Sequence, residues 1–208
     1  MTTDDRLQTD HTQTYKEDFV RIMRTQTPQL IVYTGPMFGS KTTKMLTVLE
    51  RASFQKKRVI AFKPKMDDRY SEGKIVTHAG LKFRAHNVSS GKEIFDLAKD
   101  YEVIGVDEAF MIEGSARSLI ELYKMGKTVA VSSIQLSASG QVFEEVRDLL
   151  PWATKIEVCP AVCPVTGEDA FFTVRKSSSE QEIEVGGSDL YEPRSWACTP
   201  FVNNELGG

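Results

Sequence analysis

Between residues 29 and 158 short apolar runs alternate with segments whose apolar residues recur at helical spacing. The runs are LIVYT (30–34), RVIAFKP (58–64), EVIGVDEAF (102–110), TVAVSSI (128–134) and TKIEV (154–158), and the helical patterns cover 41–55, 91–99, 114–125 and 142–150. Apolar strands alternating with helices predict an α/β fold: a parallel sheet covered by helices on both faces. Ligands of such a sheet sit at the carboxyl ends of its strands, where Gly35 and Asp107 both fall. After Val158 the pattern breaks into short polar segments punctuated by Pro160, Pro164, Gly167, Gly186, Gly187 and Pro193. A loop-rich piece of roughly 50 residues is too small to hold itself together without packing on the sheet or binding a metal. The expected organisation is a polar N-terminal tail (1–27), a main α/β domain (28–158), a small subdomain (159–200) and a C-terminal tail (201–208).

Composition narrows the class. With 208 residues, 40% of them hydrophobic, the chain is long enough to bury a real core. A net charge of -3 and a pI near 5.7 argue against a protein held to nucleic acid or an anionic membrane by bulk electrostatics. Small molecules or other subunits are the expected partners. No apolar run approaches the roughly 20 residues of a membrane helix, and the N-terminus is polar and acidic where a signal peptide is basic and then apolar. A cytoplasmic location is expected. The three cysteines, Cys159, Cys163 and Cys198, are too few and too late in the chain for a disulfide framework, which leaves a metal, packing or neither.

The chemistry begins where the first strand turns into the first helix, at GPMFGSKTT (35–43). This is the setting of a phosphate-binding loop, whose backbone N–H groups wrap around nucleotide phosphates while Lys41 brings a point charge and Thr42 offers a hydroxyl to Mg²⁺. The helix N-terminus adds its positive dipole end. The pattern G-x-x-x-x-G-K-[ST] wants glycine at position 40, where this chain has Ser40, with Gly39 one place earlier. A side chain at left-handed φ adds strain, so Gly39 or Gly35 rather than Ser40 is expected to carry any positive φ. Lys41 is expected in an exposed loop. At the end of the strand in VIGVDEAF stand two carboxylates: Asp107 is read as the metal-side acid and Glu108 as a general base toward a substrate hydroxyl. Asp67, Asp68, Arg69 and Tyr70 follow the second strand, and Arg69 is placed to stabilise charge on a transferring phosphoryl group. A polar turn is the plainer reading of that segment, and His78 reads as a structural hydrogen-bonder.

Taken in order, GPMFGSKTT, KPKMDDRY with a following THAG, GVDEAF, AVCPVTGEDAFFTVR and EVGGSDLY resemble the type II thymidine kinase family. That family carries GPMFSGKTT, KPxxDxRY with SHxG or THxG, IDEAQF, AVCxxCGxxAxxTxR and a GGxxxY lasso. The similarity covers residues 29 to about 198. It implies a P-loop domain with a small zinc-bearing lasso subdomain, and transfer of the ATP γ-phosphate to the 5′-hydroxyl of thymidine, usually in a homotetramer. By that resemblance Gly35, Pro36, Met37, Phe38, Gly39, Ser40, Lys41, Thr42 and Thr43 bind ATP. Thr42 and Asp107 hold Mg²⁺, Glu108 is the base and Arg69 helps hold the transferring phosphate. Phe143, Thr173, Val185, Gly186, Gly187 and Tyr191 belong to the nucleoside side.

Departures from the family accompany the resemblance. Ser40 replaces a glycine, Phe110 replaces the glutamine after DEA, and IQLSASGQVF (134–143) stands where the family reads LDGTFQRKPF or similar, with Ala138 in the place of an aromatic. The two CxxC pairs of the zinc site read Cys163 with Thr166 and Ser195 with Cys198. Zinc binding is therefore not expected, and a buried pair of thiols packed in its place is expected. Two further readings remain open at this point: a nucleotide-binding relative without turnover, and a P-loop ATPase acting on nucleic acid.

Overall fold

The computed structural model describes residues 27–66, 73–77, 80–176 and 186–203. The described strands, in chain order, are β1 (Leu30–Thr34), β2 (Val59–Pro64), β3 (Lys74–Val76), β4 (Lys82–Arg84), β5 (His86–Val88), β6 (Val103–Asp107), β7 (Thr128–Ser132), β8 (Lys155–Val158), β9 (Ala161–Val162), β10 (Asp169–Ala170), β11 (Phe172–Arg175) and β12 (Tyr191–Arg194). The helices are α1 (Lys41–Phe54), α2 (Gly91–Ala98), α3 (Ser115–Lys124), α4 (Glu144–Leu149) and α5 (Pro200–Asn203).

Six strands form one sheet in the order β5-β2-β6-β7-β1-β8, and every neighbouring pair runs parallel. The five strands expected from the apolar runs are all present. The sixth, β5, has three residues and carries too little pattern to stand out from the polar stretch around it. Both faces of the central strands are covered, which is why those strands read as unbroken apolar runs, whereas β8 at the edge is largely exposed. On one face Leu30 and Val32 pack with Phe62, Ile104, Val106 and Val131 beneath Ile94, Leu119, Leu122 and Leu149 from α2, α3 and α4. On the other, Ile31 and Tyr33 meet Met45, Leu46, Leu49 and Ala52 of α1. Burying each such side chain contributes about 1.5–3 kcal/mol. Gly105 in β6 makes the second face possible, since a Cβ there would lie 2.4 Å from Leu49 Cδ1.

Side chains fix the starts of α2 and α3. The Ser90 hydroxyl accepts from Glu93 N at the head of α2, and Glu93 Oε2 accepts from Ser89 N, a reciprocal cap. Ahead of α3, the Glu145 carboxylate accepts from Gly114 N at 2.6 Å and from Ala116 N at 2.7 Å, so α4 caps α3. Beyond β8 the architecture changes to antiparallel pairs, β9 with β10 and β11 with β12, followed by a 3₁₀ turn, Trp196–Cys198, and by α5. Their own buried apolar cluster is small: Ala161, Cys163 and Ala170. Helix α5 opens at Pro200, the last residue of the expected subdomain, and runs into the expected C-terminal tail.

Candidate functional site

The loop between β1 and α1 is built on strained backbone. Gly35 leaves the strand at φ 132, Phe38 follows at φ 67 and Ser40 at φ 58, and across the cleft Glu108 sits at φ 49. Among the described residues only one other non-glycine, Lys56, has a positive φ. Left-handed conformations at side-chain-bearing residues cost on the order of 1 kcal/mol each and gather where function holds them in place.

Ser40 overturns the expectation that a glycine would carry the left-handed position next to α1. The turn into the helix demands that geometry at position 40 whatever residue stands there, and Ser40 adopts it at ψ 16 while capping α1 without a side-chain hydrogen bond. Gly39 is a glycine for a different reason. A Cβ on Gly39 would lie 2.2 Å from the carbonyl oxygen of Cys159, and one on Gly35 would lie 2.4 Å from the same atom. That carbonyl, just past β8, presses into the loop, and Cys159 N in turn donates to Thr34 O at 2.7 Å. From the other side Met37 N donates to Thr173 Oγ1 on β11 at 3.0 Å.

Lys41 also departs from expectation. It is buried at 6% exposure rather than standing in an exposed loop, and its Nζ donates to Pro36 O at 2.5 Å, drawing the loop around its own ammonium. Thr42, one residue on, donates from Oγ1 to Asp107 Oδ1 at 2.9 Å, and its hydroxyl lies 3.3 Å from Ser132 Oγ. The carboxyl ends of β6 and β7 and the first turn of α1 thus converge on one point, with Thr43 beside it in the same turn. A hydroxyl and a buried carboxylate are the hard oxygen donors that Mg²⁺ takes, and they fit it.

Glu108 follows β6 and opens a 3₁₀ turn, Ala109–Met111, with its backbone at φ 49 and ψ 47. The turn is pinned twice: Phe110 N donates to Ser133 Oγ at 3.2 Å, and Ser115 Oγ donates to Ala109 O at 2.9 Å. Phe110 then lies on Phe143 with ring centroids 4.5 Å apart, in an apolar cluster with Met37, Ile134 and Val146.

Gly186 and Gly187 precede β12 in a tight turn where Gly187 O accepts from Tyr191 N at 3.0 Å, and Tyr191 is buried. The Arg175 guanidinium on β11 donates to Tyr191 Oη at 3.0 Å and lies 5.5 Å from its ring centroid. Arg69 and Val185 lie outside the described residues, as do Asp67, Asp68, Tyr70 and His78. Sequence reasoning missed Ser132, Ser133 and the Cys159 carbonyl. The first two had a signal, two hydroxyls at the carboxyl end of an apolar strand; a backbone carbonyl has none.

At the degenerate cysteine positions Cys163 Sγ lies 3.3 Å from Cys198 Sγ, and Thr166 Oγ1 lies 3.0 Å from Ser195 Oγ. A thiol pair is there, but only Cys163 is buried as expected; Cys198 is half-buried. Two sulfurs and two mutually hydrogen-bonded hydroxyls do not fit the four Cys or His ligands of a structural zinc. Cys159 does not join them: it is buried in the α1 face of the sheet, where burial pushes its thiol up. Burial also works against ionisation of Cys163, but donation from Ser195 N, the Thr166 hydroxyl and the N–H groups of Thr166 and Val165 outweighs it and draws that thiol down to about 5.

A parallel sheet with a phosphate loop at the carboxyl end of β1 and a hydroxyl–carboxylate pair bridging to β6 defines a P-loop nucleotide-binding enzyme. The family model described as thymidine kinase matches residues 28–199. A thymidine kinase of Coprothermobacter proteolyticus is 37% identical over 177 residues, covering 82% of this chain and 89% of that protein. One from Thermococcus kodakarensis is 36% identical over 178 residues, covering 79% and 90%. The chain belongs to the thymidine kinase family, and it is a kinase. Among solved structures, AMPPCP-bound DnaA from Aquifex aeolicus aligns at a TM-score of 0.40 and 15% identity, over 77% of this chain and 48% of that one.

Proposed function

We propose that the chain transfers the γ-phosphate of ATP to the 5′-hydroxyl of thymidine or deoxyuridine. The observation that carries this is the Thr42–Asp107 hydrogen bond, which joins the phosphate loop to the strand end bearing Glu108. Phosphoryl transfer needs little covalent help from the protein; it needs positioning and neutralised charge. Backbone N–H groups of residues 38–43 and the N-terminus of α1 are offered to the phosphates, and the Lys41 ammonium exchanges the Pro36 carbonyl for phosphate oxygens. Thr42 and Asp107 would hold Mg²⁺, which supplies charge neutralisation on the phosphates. Glu108 takes the proton of the 5′-hydroxyl as its oxygen attacks the γ-phosphorus and the bond to the β-phosphate breaks, releasing ADP. Arg69 steadies the transferring group.

On the nucleoside side we place Phe143 with Phe110 as the apolar wall, and Thr173, Val185, Gly186, Gly187 and Tyr191 as the lasso. Backbone groups beside paired glycines approach a flat base closely and read its donor and acceptor pattern. Thymine and uracil share that pattern and cytosine inverts it, so deoxycytidine leaves buried polar groups unpaired at about 1–3 kcal/mol each. Ala138 leaves room for bulky groups at the base 5-position. The working molecule is a cytoplasmic homo-oligomer, a tetramer by family resemblance, that neither carries structural zinc nor acts on nucleic acid. A relative without turnover is disfavoured, because Lys41, Thr42, Asp107, Glu108 and Arg69 are all kept and Thr42 donates to Asp107. Comparing kcat/KM for thymidine, deoxyuridine and deoxycytidine tests the assignment. The first two should be used well and the third poorly; a preference for deoxycytidine or a purine nucleoside would overturn the base reading.

A further inference from the structure

The cysteine pair lies against the phosphate loop. Cys163 is buried just past β9, and Cys198 is half-buried in the last 3₁₀ turn, 35 positions along the chain. Phe38, the loop residue held at φ 67, packs on the cluster of Ala161, Cys163 and Ala170, against which Cys198 also packs. Two backbone routes tie the same cluster to the loop. From Cys198 the chain leads back through Ser195 to β12, whose Pro193 is in register with Thr173, the acceptor for Met37 N. From Cys163 it leads back through β9 to the Cys159 carbonyl lodged against Gly35 and Gly39.

The four side chains that converge here sort into two unlike pairs. The hydroxyls of Thr166 and Ser195 hold each other at 3.0 Å, and Thr166 Oγ1 also accepts from Glu168 N. The sulfurs are left facing each other at 3.3 Å, with Ser195 Oγ 3.5 Å from Cys198 Sγ. A disulfide needs its sulfurs about 2.05 Å apart, so the pair must close by about 1.3 Å. That movement falls on a short surface turn in which Trp196 is 65% exposed.

We propose that Cys163 and Cys198 form a redox modification site, closing to an intramolecular disulfide that staples the small C-terminal ribbons together and firms their hold on the phosphate loop. The oxidant is a small-molecule disulfide such as oxidised glutathione. The more accessible Cys198 thiolate attacks one glutathione sulfur, expelling a glutathione thiolate and leaving a mixed disulfide. The Cys163 thiolate then attacks Cys198 Sγ, forming the Cys163–Cys198 bond and expelling the second glutathione thiolate. Two cysteine thiols give up two protons and two electrons, and one glutathione disulfide becomes two glutathione thiols. A stapled loop is better organised before the nucleotide arrives, so ATP affinity rises by about threefold or more in the oxidised form. This coupling rests on the reading of residues 35–43 as the ATP site; the bond itself does not.

The test is peptide mapping and thiol counting of the full chain after exposure to oxidised glutathione, with ATP binding measured before and after. The expected result is a cross-linked peptide joining Cys163 to Cys198, with Cys159 still free, reversal by dithiothreitol and tighter ATP binding in the oxidised form. In Cys198→Ser both the cross-link and the redox dependence of ATP binding should be lost. A stable glutathione adduct on Cys198, a cross-link through Cys159, or no loss of thiols in the wild-type chain overturns the modification site. A clean cross-link with unchanged ATP affinity overturns the coupling. A clean cross-link with no ATP binding in either form supports the site and overturns the ATP reading instead.

Discussion

The two ends of this chain have treated their motifs in opposite ways. At the phosphate loop the chemical groups are kept and the backbone absorbs the change: Ser40 stands in a glycine's conformation at φ 58, while Lys41 holds the Pro36 carbonyl and Thr42 stays bonded to Asp107. At the cysteine cluster the four positions still converge and two of the chemical groups have changed, sulfur to hydroxyl at Thr166 and Ser195. Strain of order 1 kcal/mol is tolerable where a sheet buried on both faces supports it. A phosphate-binding cation has no substitute, whereas a staple can be replaced by another staple.

The largest expected effect is at Lys41. Lys41→Ala should lower kcat/KM for phosphoryl transfer by about 10³-fold or more, because no other group in the loop supplies its charge. Neither buried apolar face of the sheet includes Lys41, so far-UV circular dichroism should be unchanged. Wild-type turnover in this variant would remove the basis for separating the two regions.

Gly39→Ser comes next. It restores a serine that the family has at this place, yet its Cβ would meet the Cys159 carbonyl at 2.2 Å. Urea unfolding should show a loss of about 1–3 kcal/mol, the range for overpacking. A neutral result would mean that the β8–β9 junction does not constrain the loop. Ser40→Gly should act weakly in the other direction. Relief of left-handed strain outweighs the added freedom of the unfolded chain, leaving a gain of about 0.5–1 kcal/mol. Destabilisation by Ser40→Gly would show that the serine side chain contributes something to the loop beyond strain.

Much of this was legible along the chain, and unevenly so. The parallel sheet could be read because strands buried on both faces are apolar throughout, as LIVYT and VIGV are. Strand β5 could not, since His86–Val88 is three residues long and paired on one side only. The positions of Lys41, Thr42 and Asp107 followed from motif spacing. Their surroundings did not: Lys41 is buried on the Pro36 carbonyl, and the space at Gly35 and Gly39 is taken by a carbonyl more than a hundred positions away. A glycine's reason for being there is invisible until its neighbours are known, and here Gly35 serves both conformation and space while Gly39 serves space alone. Ser132 and Ser133 were within reach as hydroxyls closing an apolar strand.

The account rests most heavily on Glu108 acting on the substrate and Asp107 on the metal side. Nucleotide binding and turnover measured side by side in Glu108→Gln test it most directly. ATP affinity should stay at the wild-type value while kcat falls by roughly 10²-fold or more, the usual share of a general base. Weakened ATP binding with kcat preserved, alongside a harmless Asp107→Asn, would contradict it by exchanging the two roles.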